Sequence, residues 1–357
     1  MAASPSITCS GSELDPAKQG SCWIVSDGKA GMESQCRGLA KALGFDPIIK
    51  RVRLKTPWRQ LSPFLQIALG CAFSKSADPV APPWPDMLIA SGRQSIPASL
   101  YVRRASRRSG KRTVTIQIQN PGIDSKFFDF VVTPGHDGFT GSNVITTLGA
   151  LHGITPELIN EAANRFAPHI SHLRPPYLGV LIGGPNRAYR FGAADMRKLG
   201  TDLSAYAKRF GLSLLITPSR RTGTENLAIL RQAVKETPAF IWDLQEENPY
   251  FGILGLSDFL VVTPDSINMV TEACATGRPV FVYDLPGGSP KFDQFHKMIR
   301  QQGYARAFDP NAAPGGAAKR LDEMPGIAQQ IIGSLRRSGV NQPHAARAEE
   351  RAGSARS

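Results

Sequence analysis

Residues 258–284 (DFLVVTPDSINMVTEACATGRPVFVYD) carry the side chains of this chain best suited to chemistry. Asp265 and Ser266 follow an apolar run and can cap a helix, and Glu272 lies one to two turns further on. A helix start at the end of a strand offers amide N–H groups to an anion. A carboxylate on the open face of that helix can accept two ribose hydroxyls. Gly183, Gly184 and Asn186 follow a second apolar run, and Ser219, Arg220, Arg221 and Thr222 follow a third. Glycine lets a backbone approach phosphate, and arginine matches a diphosphate with a planar fork of donors. Together these residue types read as a site for a nucleotide-diphosphate sugar.

A second group lies nearer the start. Asp27 and Lys29 flank Gly28 after an apolar run, in a glycine turn that is neither GxxxxGK[ST] nor GxGxxG. His136 and Asp137 follow another run, and a histidine titrates in the range a general base needs. Asp27, His136 and Asp137 are therefore the candidate catalytic groups; the alternative for each is an ordinary turn residue. Arg93 with Gln94, and Gln119 with Asn120, stand at two more strand ends, so four polar tips converge if the strands are parallel. No DxD-like pair sits in a suitable loop, and neither metal nor cofactor is expected; the nucleotide-sugar enters as substrate.

These positions need elements to hold them. Residues 259–262 and 280–283 are strand-length and rich in Val and Phe, and the helix between them ends at Gly277 with Pro279 beyond. At 100° per residue, Ile267, Val270 and Cys274 face the sheet while Asn268 and Glu272 face away. Similar strand–turn–helix units recur from 22–25 to 128–132 and again from 177–182 onward, with Pro175-Pro176 between them as a hinge. The fold class is α/β, two Rossmann-like lobes facing a cleft. The expected division is a flexible 1–20, a first lobe over 21–170, a second over 176–320, a helix at 321–337 and a disordered tail at 338–357.

Composition narrows the setting. The formal net charge is +13, and residues 50–112 hold 13 Lys/Arg against only Asp78 and Asp86. Such a face suits an anionic membrane or substrate, the alternative being a solvated surface. Nucleic acid is not expected as a partner, because no zinc finger, helix-turn-helix or RNP pattern accompanies the charge. The apolar stretch 61–73 is too short to span a bilayer; it can dip into a membrane surface or pack as a buried helix and loop. No secretory signal is evident, and the five cysteines form no CxxC, so reduced thiols and a cytoplasmic protein are expected, peripheral on the inner membrane face if the basic stretch engages lipid.

The 258–284 stretch resembles the donor-site signature of two-lobed GT-B glycosyltransferases, among them the murein-precursor N-acetylglucosaminyl transferase. That resemblance covers mainly 177–302 and implies donor-ribose binding at Glu272. A closer one runs from about residue 21 to 308. WIVSDGKAGMESQ, IASGRQS, QIQNPG, VVTPGHD, IGGPNRAYRF, TPSRRTG and VTPDSINMVTEA are similar, in order, to segments of the elongated-mitochondria family. This resemblance implies a GT-B-like fold. For plant members it implies recruitment of a dynamin-like fission protein at the outer mitochondrial surface, and for bacterial members a sugar-nucleotide enzyme. The functional expectation is transfer of a sugar from a nucleotide-diphosphate sugar to a membrane-associated or cell-envelope acceptor; the alternative is a non-catalytic recruitment factor that binds a protein partner at a membrane.

Overall fold

A computed structural model describes residues 20–316 and 318–338. The expected loose ends, 1–20 and 338–357, fall outside these limits apart from Gly20 and Ser338. The first half runs β1 (Cys22–Ser26), α1 (Ala30–Ala42), β2 (Pro47–Arg51), α2 (Trp58–Leu61), β3 (Met87–Ser91), α3 (Ile96–Arg108), β4 (Val114–Ile118), β5 (Phe130–Pro134), β6 (Val144–Thr147) and α4 (Pro156–Phe166). The second runs β7 (Tyr177–Ile182), α5 (Ala193–Phe210), β8 (Ser213–Pro218), α6 (Thr224–Ala233), β9 (Ala239–Ile241), α7 (Tyr250–Leu256), β10 (Phe259–Val262), α8 (Ile267–Ala275), β11 (Val280–Val282), α9 (Pro290–Gln301), β12 (Arg306–Ala307) and α10 (Met324–Arg337).

The strands form two six-stranded sheets, ordered β2-β1-β3-β4-β5-β6 and β12-β11-β10-β7-β8-β9. Every pairing is parallel. A parallel sheet needs helices on both faces, which is why β1, β3 and β4 are buried throughout, the first two as apolar runs ending in serine and β4 with Thr115 and Gln117 between its apolar residues. Around α8 the helical pattern holds: Val270 and Cys274 are fully buried and Asn268 is exposed.

The two halves exchange helices. In α10, Met324, Ile327, Ile331 and Leu335 pack with Ile24, Leu39 and Leu43 in the first lobe's core. In the other direction, Ile159 and Phe166 of α4, with Ile170 and Leu173 beyond it, join Ile253, Leu254 and Val270 in the second lobe's core. The packing boundary thus differs from the 21–170 division read from the sequence. Glycines explain the difference. A side chain at Gly252 would put its Cβ 2.5 Å from Phe166 Cβ, and one at Gly255 would stand 2.7 Å from Ile159. Glycine is a poor helix former; in α7 it lets α4 approach closely enough to bury its apolar face, each large side chain contributing about 1.5–3 kcal/mol. Gly252→Val should overpack this contact and lower unfolding stability by about 1–3 kcal/mol, as measured by urea titration. An unchanged midpoint would mean that α4 docks some other way.

Candidate functional site

The second lobe's strand ends are tied together by Asp265, whose side chain is fully buried. Its Oδ2 accepts from the Gly184 amide and from Arg221 Nη2, both at 2.9 Å, and its Oδ1 accepts from the Thr263 hydroxyl at 2.6 Å. Thr263 in turn accepts from the Gly183 amide at 2.8 Å. Asn186 Nδ2 donates to the Asp265 carbonyl at 2.9 Å, and its Oδ1 caps the amides of Ala188 and Tyr189. Arg221 Nη1 donates to the Gly184 carbonyl at 3.0 Å. The buried Thr222 hydroxyl donates to the Gly183 carbonyl and pairs with Ser219. The loops after β7, β8 and β10 are thereby welded into one piece.

This clasp changes the reading of its members. Gly183 and Gly184 were expected to clear space for phosphate. A Cβ at Gly183 would lie 2.0 Å from Asp265 Oδ2, and one at Gly184 2.4 Å from the Arg221 backbone, so the space is already taken by the protein itself. Arg221 is committed to Asp265, a partner that the charge spacing did not reveal. Arg220 is exposed and has no hydrogen bond or ion pair among the described residues. Ser266 does cap α8, accepting from the Met269 amide at 3.4 Å.

Glu272 stands elsewhere. It lines a groove of about 990 Å³ between the lobes, with Arg37 and Lys41 of α1, Tyr250 and Phe251 of α7, and Arg320. Neither Arg220 nor Arg221 lines that groove, so the expected grouping of this carboxylate with the arginine pair is not formed. Its Oε2 accepts from the Tyr250 hydroxyl at 2.6 Å. Burial pushes the Glu272 carboxyl up to about 7, against the opposing pull of that hydrogen bond. Burial also raises the Tyr250 phenol well above its usual range.

The first lobe's tips separate into two sets. Gln119, His136 and Lys291 line a smaller cavity of about 220 Å³ with Gln35 and with Asn268 at the start of α8. The Asp137 carboxylate reaches across the lobes to Lys291 of α9 at 2.5 Å and accepts from Thr133 at 3.1 Å. His136 does not pair with it: Nε2 is 3.9 Å away, Nδ1 has no partner, and the buried ring lies edge-on to Phe295. Burial lowers the His136 pKa, so the ring is neutral near pH 7. Arg93 and Gln94 turn away and donate to the carbonyls of Arg59 and Gln60. Asp27 is paired with Lys29 at 2.7 Å. The groups sequence reasoning missed are Tyr250 and Lys291. Tyr250 follows Asn248-Pro249, a helix-start signal; nothing local marks Lys291. Among the described residues, no group of three or more His, Cys, Asp or Glu is arranged to hold a metal.

Two parallel sheets meeting across a cleft, with pockets on either side of α8, define a two-lobed α/β protein of GT-B-like architecture. The chain belongs to the family described as Mitochondrial fission ELM1, whose profile matches residues 30–335. It is 31% identical over 248 residues to Mitochondrial fission protein ELM1 of Arabidopsis thaliana, a match covering 63% of this chain and 57% of that protein. The chain thus spans less than two thirds of that relative. It is also 24% identical to an uncharacterized Rickettsia prowazekii protein over 63% of this chain and 72% of that one. Among solved structures it is similar to Acinetobacter baumannii MurG, with 14% identity, coverage of 88% and 90%, and a TM-score of 0.42. Another is a putative UDP-N-acetylglucosamine 2-epimerase of Listeria monocytogenes, with 12% identity, coverage of 90% and 96%, and a TM-score of 0.49.

The raised Glu272 pKa has a signed consequence. An unfolded glutamate titrates near 4.3. Between there and about 7 the folded chain holds the extra proton, so this group's contribution is full on the acid side and is lost as pH rises through about 7. Glu272→Gln should match the parent near pH 5 and exceed its stability at pH 8 by on the order of 1 kcal/mol, in urea titrations at both values. A variant less stable at pH 8 would show that the ionised carboxylate is well solvated.

Proposed function

We propose that the chain binds a nucleoside-diphosphate sugar between its lobes and transfers the sugar to a membrane-associated or cell-envelope acceptor. The observation that carries this reading is the large groove, whose wall joins a carboxylate and aromatic rings to Arg37, Lys41 and Arg320. Its volume lies in the range that holds a small ligand. Tyr250 and Phe251 offer ring faces to a base, Glu272 accepts from ribose hydroxyls when Tyr250 yields, and the three cations neutralise the diphosphate. In the transfer step the acceptor oxygen bonds to the anomeric carbon, the bond from that carbon to the diphosphate breaks, and the acceptor's proton passes to a base. None of Asp27, His136 and Asp137 lines the groove: both carboxylates are paired with lysines, and His136, buried and neutral, lines the smaller cavity, so the base is assigned to none of them. The leaving diphosphate is stabilised by side-chain cations.

The second reading is a recruitment factor built on the same fold. The clasp favours it: residues of the kind that hold diphosphate are spent on internal bonds around Asp265. One experiment separates the two. Melting is followed with a panel of nucleoside mono- and diphosphates. A ligand that prefers the native chain raises the midpoint, and saturation a hundredfold above Kd stabilises by about 2.7 kcal/mol. The transferase reading expects a shift with at least one diphosphate. Glu272→Ala should weaken that binding by roughly tenfold with the fold intact, as expected for loss of one good hydrogen-bonded contact. No shift across the panel, or an unaltered affinity in Glu272→Ala, leaves the recruitment reading standing.

A further inference from the structure

The end of α2 and the segment that leads from it towards β3 present a surface that the inter-lobe cleft does not use. Phe64 is 74% exposed, Ile67 72% and Leu61 51%, a cluster of large apolar side chains in one short turn facing water. They are not loose. Trp58 Nε1 donates to the Ile67 carbonyl at 3.0 Å, and Arg104 donates to the Gln66 carbonyl at 2.6 Å and to its side-chain oxygen at 3.1 Å. The Ser62 hydroxyl donates to the Arg93 carbonyl at 2.7 Å. Leu69, just beyond, is buried against Ile96 and Leu100 of α3. The turn is thus a stiff projection whose apolar tips point outward while its base is anchored.

Charge identifies the medium. No carboxylate occurs between residues 53 and 77. Arg53, Lys55, Arg59 and Lys75 of this segment are exposed, as are Arg104, Arg107 and Arg108 on α3. Apolar tips in a cationic surround match a bilayer whose interior takes the tips and whose phosphates meet the cations. The two tip carbonyls already have donors, which lowers the cost of taking that backbone out of water. Three side chains make too small a patch for a stable protein partner, which needs roughly 1,200 Å² or more of buried surface.

We propose that residues 61–67 form a membrane wedge, in which Leu61, Phe64 and Ile67 enter the acyl–headgroup boundary of an anionic bilayer while the surrounding arginines and lysines bind lipid phosphate. The wedge stands apart from the proposed donor groove, and its failure would leave that groove untouched. Within the 61–73 stretch, Leu69 and Ala72 are buried while Leu61, Phe64 and Ile67 are presented to the outside.

The test is sedimentation of the full chain with vesicles of phosphatidylcholine, alone or with about one third phosphatidylglycerol. The wedge requires binding to the anionic vesicles at low salt that weakens with added salt. It also requires an apparent affinity at least about tenfold lower for Phe64→Asp combined with Ile67→Asp, with melting unchanged because both side chains are exposed. Should that pair unfold, Phe64→Trp keeps the question open to measurement: its emission should be quenched by brominated acyl chains. Any of three results overturns the proposal: a parent chain that stays in the supernatant with anionic vesicles, a double variant that binds as well as the parent, or an unquenched tryptophan. A double variant that merely turns a dimer into a monomer, with no vesicle binding by the parent, would assign the surface to a second copy of the chain instead.

Discussion

The second lobe depends on one buried carboxylate. Asp265 sits where the ends of β7, β8 and β10 converge, and its two oxygens accept from a backbone amide, a hydroxyl and a guanidinium. A carboxylate removed from water persists only when its lone pairs are filled in this way. The clasp accounts for the glycine pair that meets it, since any Cβ at Gly183 would overlap the Asp265 oxygens. It also sets the start of α8, because Ser266, the next residue, is the cap of that helix. From there α8 carries Asn268 to the small cavity and Glu272 to the large groove, so both sites inherit their position from the same anchor.

The lobes are held to each other by a few contacts of different kinds. Lys291 and Asp137 form an ion pair across the cleft, His136 rests against Phe295, and Glu323 accepts from the amides of Leu148 and Gly149. Exchange of α4 and α10 makes each core incomplete without the other half. A hinge at the cleft would have to preserve these helix contacts while opening the polar ones, which is how two-lobed proteins admit and enclose a ligand.

Much of the architecture was legible in the sequence because parallel strands are buried on both faces and announce themselves as short apolar runs. The strand–helix–strand unit around α8 and the amphipathic face of Val270 and Cys274 follow from periodicity alone. The elements that were not legible lack a local signal. Strand β6 is only four residues long, and α7 is a seven-residue helix whose two glycines outweigh its Asn248-Pro249 start signal, so its sequence reads as a loop or a single turn of helix until α4 is seen against it. The site was legible in part. Residue type singled out Asp265, Arg221 and Gly183 as ligand-binding, whereas the structure bonds them to one another, since a guanidinium that will meet a protein carboxylate looks the same as one awaiting a phosphate. Glu272 lies off the sheet-facing side of α8 as the helical period implies, yet it is half-buried against Tyr250 from another helix, and Lys291 reaches Asp137 from a distance no pattern in the chain encodes.

The central claim is that the groove beside Glu272 takes a nucleotide while the Asp265 clasp supports it from within. Amide hydrogen exchange with and without a nucleoside diphosphate tests this most directly. The account predicts added protection at residues 31–42, 248–251 and 267–275, with the 183–186 and 219–222 loops slow to exchange in both states. Protection that falls outside the groove, or clasp loops that exchange rapidly until ligand is added, would contradict it.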